Sequence, residues 1–468
     1  MRKSQPGVWR PDIRRASSEQ KRKPIYLAIV EAIEDDIREG RLSLTDRLPP
    51  QRELARVLDL NYATVSRAYS EAQRRGLIYS RVGQGTFICR PRKPSARASV
   101  GRVDMTMNLP PEPEDQVLEE RMSRGLYALD GDLRALLRYQ EFGGSDDARA
   151  AGASWLLRRG IAVAAERVLV CPGAQTALLA VLGLLAKPGD AILCESLTYP
   201  GLRAAAAQLG LRLIGVPLDA EGPDPEAVKR AILEHHPKAL YTNPILLNPT
   251  TLTVSAERRD ALIKIARQQG MPIIEDDAYG VLPESAPPSF FELAPELTFY
   301  LTGFAKFLGA GLRVSYMVAP DERRSLRLST SLRALSVMAS PLTVALATRW
   351  VQDGTAEAML LAVRAESIAR QNLARKYLRG VPHQTHPEAF HLWLSLPAPW
   401  TRASFASHLR AHEVHVAVSD AFSVGPGEAP EAVRLCFGGA ATRDDTERAL
   451  QLVTDALEHP ASTTTAFF

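Results

Sequence analysis

From about residue 104 onward, short apolar runs of strand length alternate with segments of helical period, at 167–171, 191–194, 238–242, 271–275 and 297–302. Few architectures accommodate that alternation. Short apolar runs suit strands buried on both faces, and the helical segments between them supply the crossovers that parallel strands need. The pattern predicts an α/β domain with a largely parallel sheet. At 468 residues the chain is also too long for one ordinary core, so two or three domains are expected.

Composition narrows the class. With 46% apolar and 24% charged residues the chain reads as globular. No apolar run reaches the ~20 residues of a membrane span. The opening stretch MRKSQPGVWRPDIRR lacks the apolar core of a secretory leader, so a cytoplasmic protein is expected. Cys89, Cys171, Cys194 and Cys436 show no CxxC spacing, which argues for buried free thiols and against a disulfide framework or a metal site. Nothing repeats at a fixed period, and 462–468 reads as a loose tail.

Charge is unevenly spread. Residues 1–100 carry 21 Lys and Arg against 11 Asp and Glu, a net of +10, which leaves −6 on the remainder of a chain of net charge +4. A basic head on a mildly acidic body suits binding to a polyanion. Within that head, 24–40 reads as a first helix with a buried stripe of Ile25, Ile29, Ile33 and Ile37. Pro24 opens it and Gly40 stops it. A short helix follows over about 51–58. Asn61 then caps a third helix, in which Val65, Ala68, Tyr69 and Ala72 share the inner face and which Gly76 ends. The outer face begins with Tyr62, Ala63, Thr64, Ser66 and Arg67, small, hydroxylated or basic groups suited to a major groove. Segments 77–80 and 86–88, joined through RVGQG, form a wing.

The segment LPPQRELARVLDLNYATVSRAYSEAQRRGLIYSRVGQGTF resembles the GntR-type winged helix-turn-helix over nearly its whole length. The resemblance implies double-stranded DNA as partner, with Arg52, Tyr62, Thr64, Ser66, Arg67 and the wing at Gly85 at the contact. Tyr62 stands where that family often has Arg. Residues 20–90 are thus expected to form the DNA-binding domain. Residues 91–103 form a Pro/Ser-rich linker. A second domain spans 104–468, with a small subdomain from about 340.

The body carries several chemically suggestive groups, each at the end of a strand-like run. Lys306 follows LTFYLT, and Arg313 comes seven residues later, in KFLGAGLR. Asp276 ends an apolar run in EDDAYG, with Tyr279 three residues on. PGAQTALL reads as a turn entering a helix whose first free amides, from Ala174 and Gln175, make an anion site. Tyr199 lies in ESLTYPG and Asn248 in NPILLNPTT. Taken singly, the lysine reads as surface, the acid as a loop, the tyrosine as core and the Asn-Pro as a turn. Taken together they match what pyridoxal 5′-phosphate (PLP) requires: a lysine for its aldehyde, an acid for its ring nitrogen, donors for its phenolic oxygen, an aromatic face, and a phosphate cradle.

In order and spacing these groups resemble the fold-type I aminotransferases from about 105 to 460. That resemblance implies that Tyr139, with Gly144 in YQEFGG, reaches the phosphate of a neighbouring subunit, and that Arg434 in AVRLCF clamps an α-carboxylate. Four positions depart from the pattern. Gly303 stands where a hydroxyl is usual, Ala305 replaces serine before the lysine, Ala310 replaces the proline of PGLR, and NPTT replaces NPTG. Thr302 is one position off. Weaker phosphate binding is expected.

GntR head plus aminotransferase body is the layout of the MocR subfamily of bacterial regulators. The resemblance implies a head-to-tail homodimer whose DNA affinity responds to PLP, with or without an amino acid or amine as effector. The alternatives are a working aminotransferase with an attached DNA-binding module, in which Lys306 would be catalytic, and an aminotransferase shell that only dimerises.

Overall fold

A computed structural model of the chain describes residues 9–11, 24–39, 41–42, 46–75, 77–81, 85–88, 102–129, 133–425, 427–440 and 442–459. The expectations for Gly40, Gly76, Cys89, most of the wing turn, nearly all of the linker and the tail fall outside these residues. The chain divides into two compact units, Met1–Ser99 and Val100–Phe468.

In the first unit α1 (Ile25–Arg38), α2 (Gln51–Val57) and α3 (Tyr62–Arg74) pack around Ile29, Ile33, Leu54, Val65, Ala68 and Tyr69. Pro24 is the N-cap of α1. Ile29 and Ile33 are fully buried, but Ile25 is 50% exposed. The reason is geometric: at 3.6 residues per turn, positions four apart drift by ~40° per step. Four of them cannot stay on one buried face, and the end of the row leaves it. Asn61 caps α3 by accepting from the Ala63 amide at 2.9 Å. Tyr69 donates to the Pro49 carbonyl at 2.7 Å, which fixes the turn ahead of α2. Strands β1 (Arg47–Leu48), β2 (Ile78–Arg81) and β3 (Gly85–Ile88) form an antiparallel sheet in the order β1-β3-β2, the frame of a wing.

The second unit begins with β4 (Val103–Met105) and is built on a seven-stranded sheet. Its first members are β5 (Val168–Cys171), β6 (Ala191–Glu195) and β7 (Arg212–Val216). A two-stranded ribbon, β8 (Leu218–Asp219) with β9 (Gly222–Pro223), lies apart. Then come β10 (Leu240–Thr242), β11 (Ile273–Asp276), β12 (Thr298–Gly303) and β13 (Ser315–Val318). The order is β5-β13-β12-β11-β10-β6-β7. Only β13 runs against its neighbours. Helices cover both faces. On one, α4 (Ala174–Leu185) and α5 (Pro200–Gln208) pack on Leu169, Phe299, Leu301 and Met317. On the other, Val170, Tyr300, Tyr316 and Val318 meet Trp155, Leu346 and Leu360.

A long helix, α6 (Thr355–Tyr377), leads into a five-stranded sheet made of β14 (His383–Thr385), β15 (His391–Ser395), β16 (Val414–Val418), β17 (Ala432–Cys436) and β4. A small subdomain counted only from about 340 therefore omits one strand. β4 pairs in parallel with β16, and Val103 and Met105 are buried in the same core as Leu392, Val414 and Leu435. Periodicity could not reveal this, because three residues carry no readable alternation and the pairing spans most of the chain.

Candidate functional site

Where several parallel strands end together, main-chain groups are left without ladder partners, and the chain turns there into helices whose first amides are free. That edge holds a cavity of about 480 Å³. It is lined by Ala174, Gln175, Tyr199, Asn248, Asp276, Tyr279, Lys306, Arg313 and Arg434, together with Gly303, Ala305 and Ala310. The structure thus gathers all the expected residues of the body except Tyr139, which is 80% exposed and lies elsewhere on the surface.

Asp276 is the last residue of β11. Its Oδ2 accepts from the Tyr241 hydroxyl at 2.8 Å, while Oδ1 is buried with no hydrogen-bond partner among the described residues. Burial pushes this carboxyl up to about 6, against the hydrogen bond from Tyr241 and the charge of Lys306. The main chain beside it is held from two directions. Asn243 donates to the Asp276 carbonyl at 2.7 Å, and the Asn248 amide donates to Asn243 Oδ1 at 3.1 Å. Glu195, at the end of β6, accepts from Thr242 and from the Asn243 amide, and burial raises it to about 7. Behind the site, Asp277 accepts from Arg159 at 2.8 Å and from Tyr300 at 2.7 Å, so its charge is paired.

Lys306 follows β12. Its Nζ donates to the Asn108 carbonyl at 2.7 Å and lies 5.3 Å from the centre of the Tyr279 ring. Burial, with Arg434 nearby, lowers its amine to about 8. Tyr279 accepts from Asn108 Nδ2 at 2.8 Å, which leaves its own proton to donate. Thr302 does not stand in for the hydroxyl absent at 303: it donates to the Asp277 carbonyl.

The anion end is made by backbone. Gly173, at φ +93, turns the chain into α4, and a Cβ there would come within 2.8 Å of the Arg313 guanidinium. Only glycine lets the arginine lie against that turn. Gln175 donates to the Gly201 carbonyl at 2.8 Å and so ties α4 to α5 beside Tyr199.

Arg434 comes from β17, in the small sheet. It donates to Asn248 Oδ1 at 2.6 Å and to the Thr106 carbonyl, and its Nε is buried with no partner among the described residues. An unpaired carboxylate oxygen and an unpaired guanidinium N–H in one cavity are costly unless a ligand completes them. They ask for a cationic ring nitrogen and for a carboxylate, and the amides at the start of α4 with Arg313 ask for an anion. The donor set fits PLP.

In the first unit Arg52, at the start of α2, and Tyr62 and Arg67, in the first turns of α3, are exposed, and Thr64 and Ser66 are half-buried. The Arg67 guanidinium lies 4.3 Å over the Tyr26 ring. Gly85, at φ +118, approaches the Arg47 side chain so closely that a Cβ would meet its Nε at 2.6 Å. Arg47 escaped the sequence reading, as did Asn108, Tyr241, Asn243 and Glu195. Among the described residues no group of three or more His, Cys, Asp or Glu could hold a metal ion, and no helix is long and apolar enough to cross a membrane.

Comparison with known proteins agrees on two parts. The family described as aminotransferase class I and II matches residues 103–453, and that of bacterial regulatory proteins, gntR family, matches residues 25–88. The HTH-type transcriptional regulator YdeF of Bacillus subtilis is 29% identical over 97% of both chains. A 2-aminoadipate transaminase of Thermus thermophilus is 31% identical across 56% of this chain and 67% of its own. Among solved structures, LysN, an α-aminoadipate aminotransferase from Thermus thermophilus complexed with N-(5′-phosphopyridoxyl)-L-leucine, aligns with TM-score 0.69 and 26% identity. That alignment covers 77% of this chain and 92% of LysN. An archaeal alanine:glyoxylate aminotransferase aligns with TM-score 0.70 at 21% identity, over 77% of this chain and 92% of its own, and shares the fold.

Proposed function

The chain belongs to the aminotransferase class I and II family and carries a gntR-family module ahead of that domain, and on this premise we propose a transcription regulator whose DNA affinity is set by PLP and by an amino acid or amine that joins it. The observation that carries this reading is a connection. The chain leaving the DNA-binding unit enters the second unit through β4, and the residues just after β4 wall the cavity. Lys306 is tied to Asn108 there, and Arg434 to Thr106. A ligand that takes either side chain loosens a tie next to the strand that leads back to the DNA-binding unit. Regulation by a ligand needs such a difference between states, and a coupling of ~1–3 kcal/mol suffices.

Bound in this cavity, PLP would supply an electrophilic aldehyde and an electron-withdrawing ring. Lys306 would anchor the cofactor at its aldehyde end. Asp276 would hold the proton on the ring nitrogen, with Tyr241 fixing the carboxylate. Tyr279 and Asn248 would donate to the phenolic oxygen, and Tyr199 would cover the ring. Ala174, Gln175 and Arg313 would hold the phosphate, and Arg434 the effector carboxylate.

In this reading two copies associate. Leu126, Tyr127, Leu133, Leu137 and Tyr139 form an exposed apolar run over a short stretch of chain, an unusual surface for a monomer. Tyr139 would serve the partner's phosphate site, which fits its absence from the lining of its own chain's cavity. Arg52, Tyr62, Thr64, Ser66, Arg67 and Gly85 would face operator DNA.

The deciding experiment is an absorbance titration with PLP on wild type and Lys306→Ala, followed by operator binding with and without PLP. A visible band lost in the variant, with PLP-dependent DNA affinity, is expected. A band with DNA affinity indifferent to PLP and to every amino acid overturns the regulatory reading. A second reading, a transaminating enzyme, draws on the same lowered Lys306 amine, a competent general base. Keto-acid release from amino acids on the loaded protein separates the two.

A further inference from the structure

Gly303 is the last residue of β12 and pairs in register with Ser315, the first residue of β13. Ser315 pairs on its other side with Cys171, the last residue of β5. Directly opposed residues of antiparallel strands send their side chains to the same face. On that face the next row, Leu169, Met317 and Leu301, packs in the core beneath α4. Ser315 therefore stands in the last row of the sheet, on the α4 side and two residues from Arg313. Its register partner Gly303 lines the cavity. Ser315 is 1% exposed and its hydroxyl has no hydrogen-bond partner among the described residues.

A side chain at 303 and the one at 315 compete for one space. A Cβ added to Gly303 would lie 3.0 Å from Ser315 Cβ and 3.2 Å from the Val314 carbonyl oxygen. A hydroxyl can reach this spot from either strand, but not comfortably from both. Leaving a buried hydroxyl unpaired is costly, and an oxygen of a dianionic ligand would complete it.

We infer that Ser315 supplies, from the neighbouring strand, the phosphate-binding hydroxyl that position 303 lacks. This rests on the reading of the cavity as a PLP site and adds a residue to it. The cradle is rearranged at this point and not simply eroded, so Gly303 by itself does not weaken phosphate binding.

The test compares PLP with pyridoxal, which lacks the phosphate, by equilibrium dialysis on the full chain. Wild type, Ser315→Ala and the exchange Gly303→Ser with Ser315→Gly are measured together with their thermal midpoints. Ser315→Ala is expected to weaken PLP about 10-fold or more, as befits a hydrogen bond to a charged group. Pyridoxal affinity should stay within about 2-fold, and the empty protein should melt no lower, since the lost hydroxyl was unpaired. The exchange should restore PLP affinity. Equal losses for PLP and pyridoxal would mark a packing role and overturn the assignment, as would unchanged PLP binding. If wild type itself binds no PLP, the reading of the cavity falls and the assignment with it.

Discussion

Lys306 Nζ meets the main-chain carbonyl of Asn108 at 2.7 Å, a contact between residues 198 positions apart. The amine that faces the cavity is thereby committed to the segment that follows β4. A ligand must compete with that backbone for the lysine, and with the Thr106 carbonyl for Arg434. Occupancy and the position of this segment are therefore linked quantities.

A pH profile follows for PLP capture. Burial lowers Lys306 to about 8, and the neutral amine is the nucleophile. The capture rate should rise ~10-fold per pH unit up to about 8 and then level, whereas an ordinary lysine levels near ~10.4. Stopped-flow absorbance between pH 6.5 and 9.5 reads it, and a slope persisting to the top of that range contradicts it. Stability carries the matching sign. Between about 8 and 10.5 the unfolded chain holds the extra proton, so the empty protein gains stability as pH rises through that window.

Asp276→Asn should move stability and affinity in opposite directions. The carboxyl is raised to about 6 in the folded protein, so the folded form holds the extra proton between about 3.8 and 6 and stability falls as pH rises across that interval. At pH 7.5 the empty wild type bears the full cost. The Asn variant should then be more stable by about 1–3 kcal/mol, and the gain should shrink near pH 4. PLP should bind at least ~10-fold more weakly, for want of a charge opposite the ring nitrogen. Calorimetry at the two pH values with a PLP titration tests both signs.

Arg434→Ala separates cofactor from effector. Arg434 lines the cavity and its Nε has no partner among the described residues, so any amino-acid effect on operator affinity should fall by ~10-fold or more in ligand concentration. PLP binding should stay within ~3-fold. An unchanged amino-acid response removes Arg434 from the effector site.

For the DNA-binding unit, Arg67→Ala should weaken operator binding and lower the slope of log affinity against log salt by about 1 if the guanidinium meets a phosphate. Loss of sequence preference at one base pair with an unchanged slope would mean a base contact. No effect on either quantity removes Arg67 from the interface.

Much of this was legible beforehand because it lies where a local pattern changes. Asp276 ends an apolar run and Lys306 follows one; each alone reads as loop or surface, and their order and spacing with Tyr279, Arg313 and the turn at 174–175 mark the site. Asn61 announces a helix start by residue type, and the segment PGAQTALL reads as a turn entering a helix. Tyr241 was illegible because it sits inside the run ALYT and reads as core; only the parallel register of β10 with β11 turns its hydroxyl onto Asp276. Asn108 and β4 acquire meaning from partners in distant parts of the chain. Ser315 is invisible for the same reason. Its significance is the glycine opposite it on another strand, and strand pairing is not written in either residue.

The pairing of β4 with β16 also sets an order in time. The first unit has its own core and leaves the ribosome early. The strand Val103–Met105 must wait for Val414–Val418, roughly 300 residues later, or about 15–60 s at ~5–20 residues per second. During that interval a nascent chain carries a finished winged helix with no ligand-binding site to govern it. On the proposed function, a transcript cut short before codon 414 would leave such a fragment permanently, its winged helix present and the ligand cavity never completed.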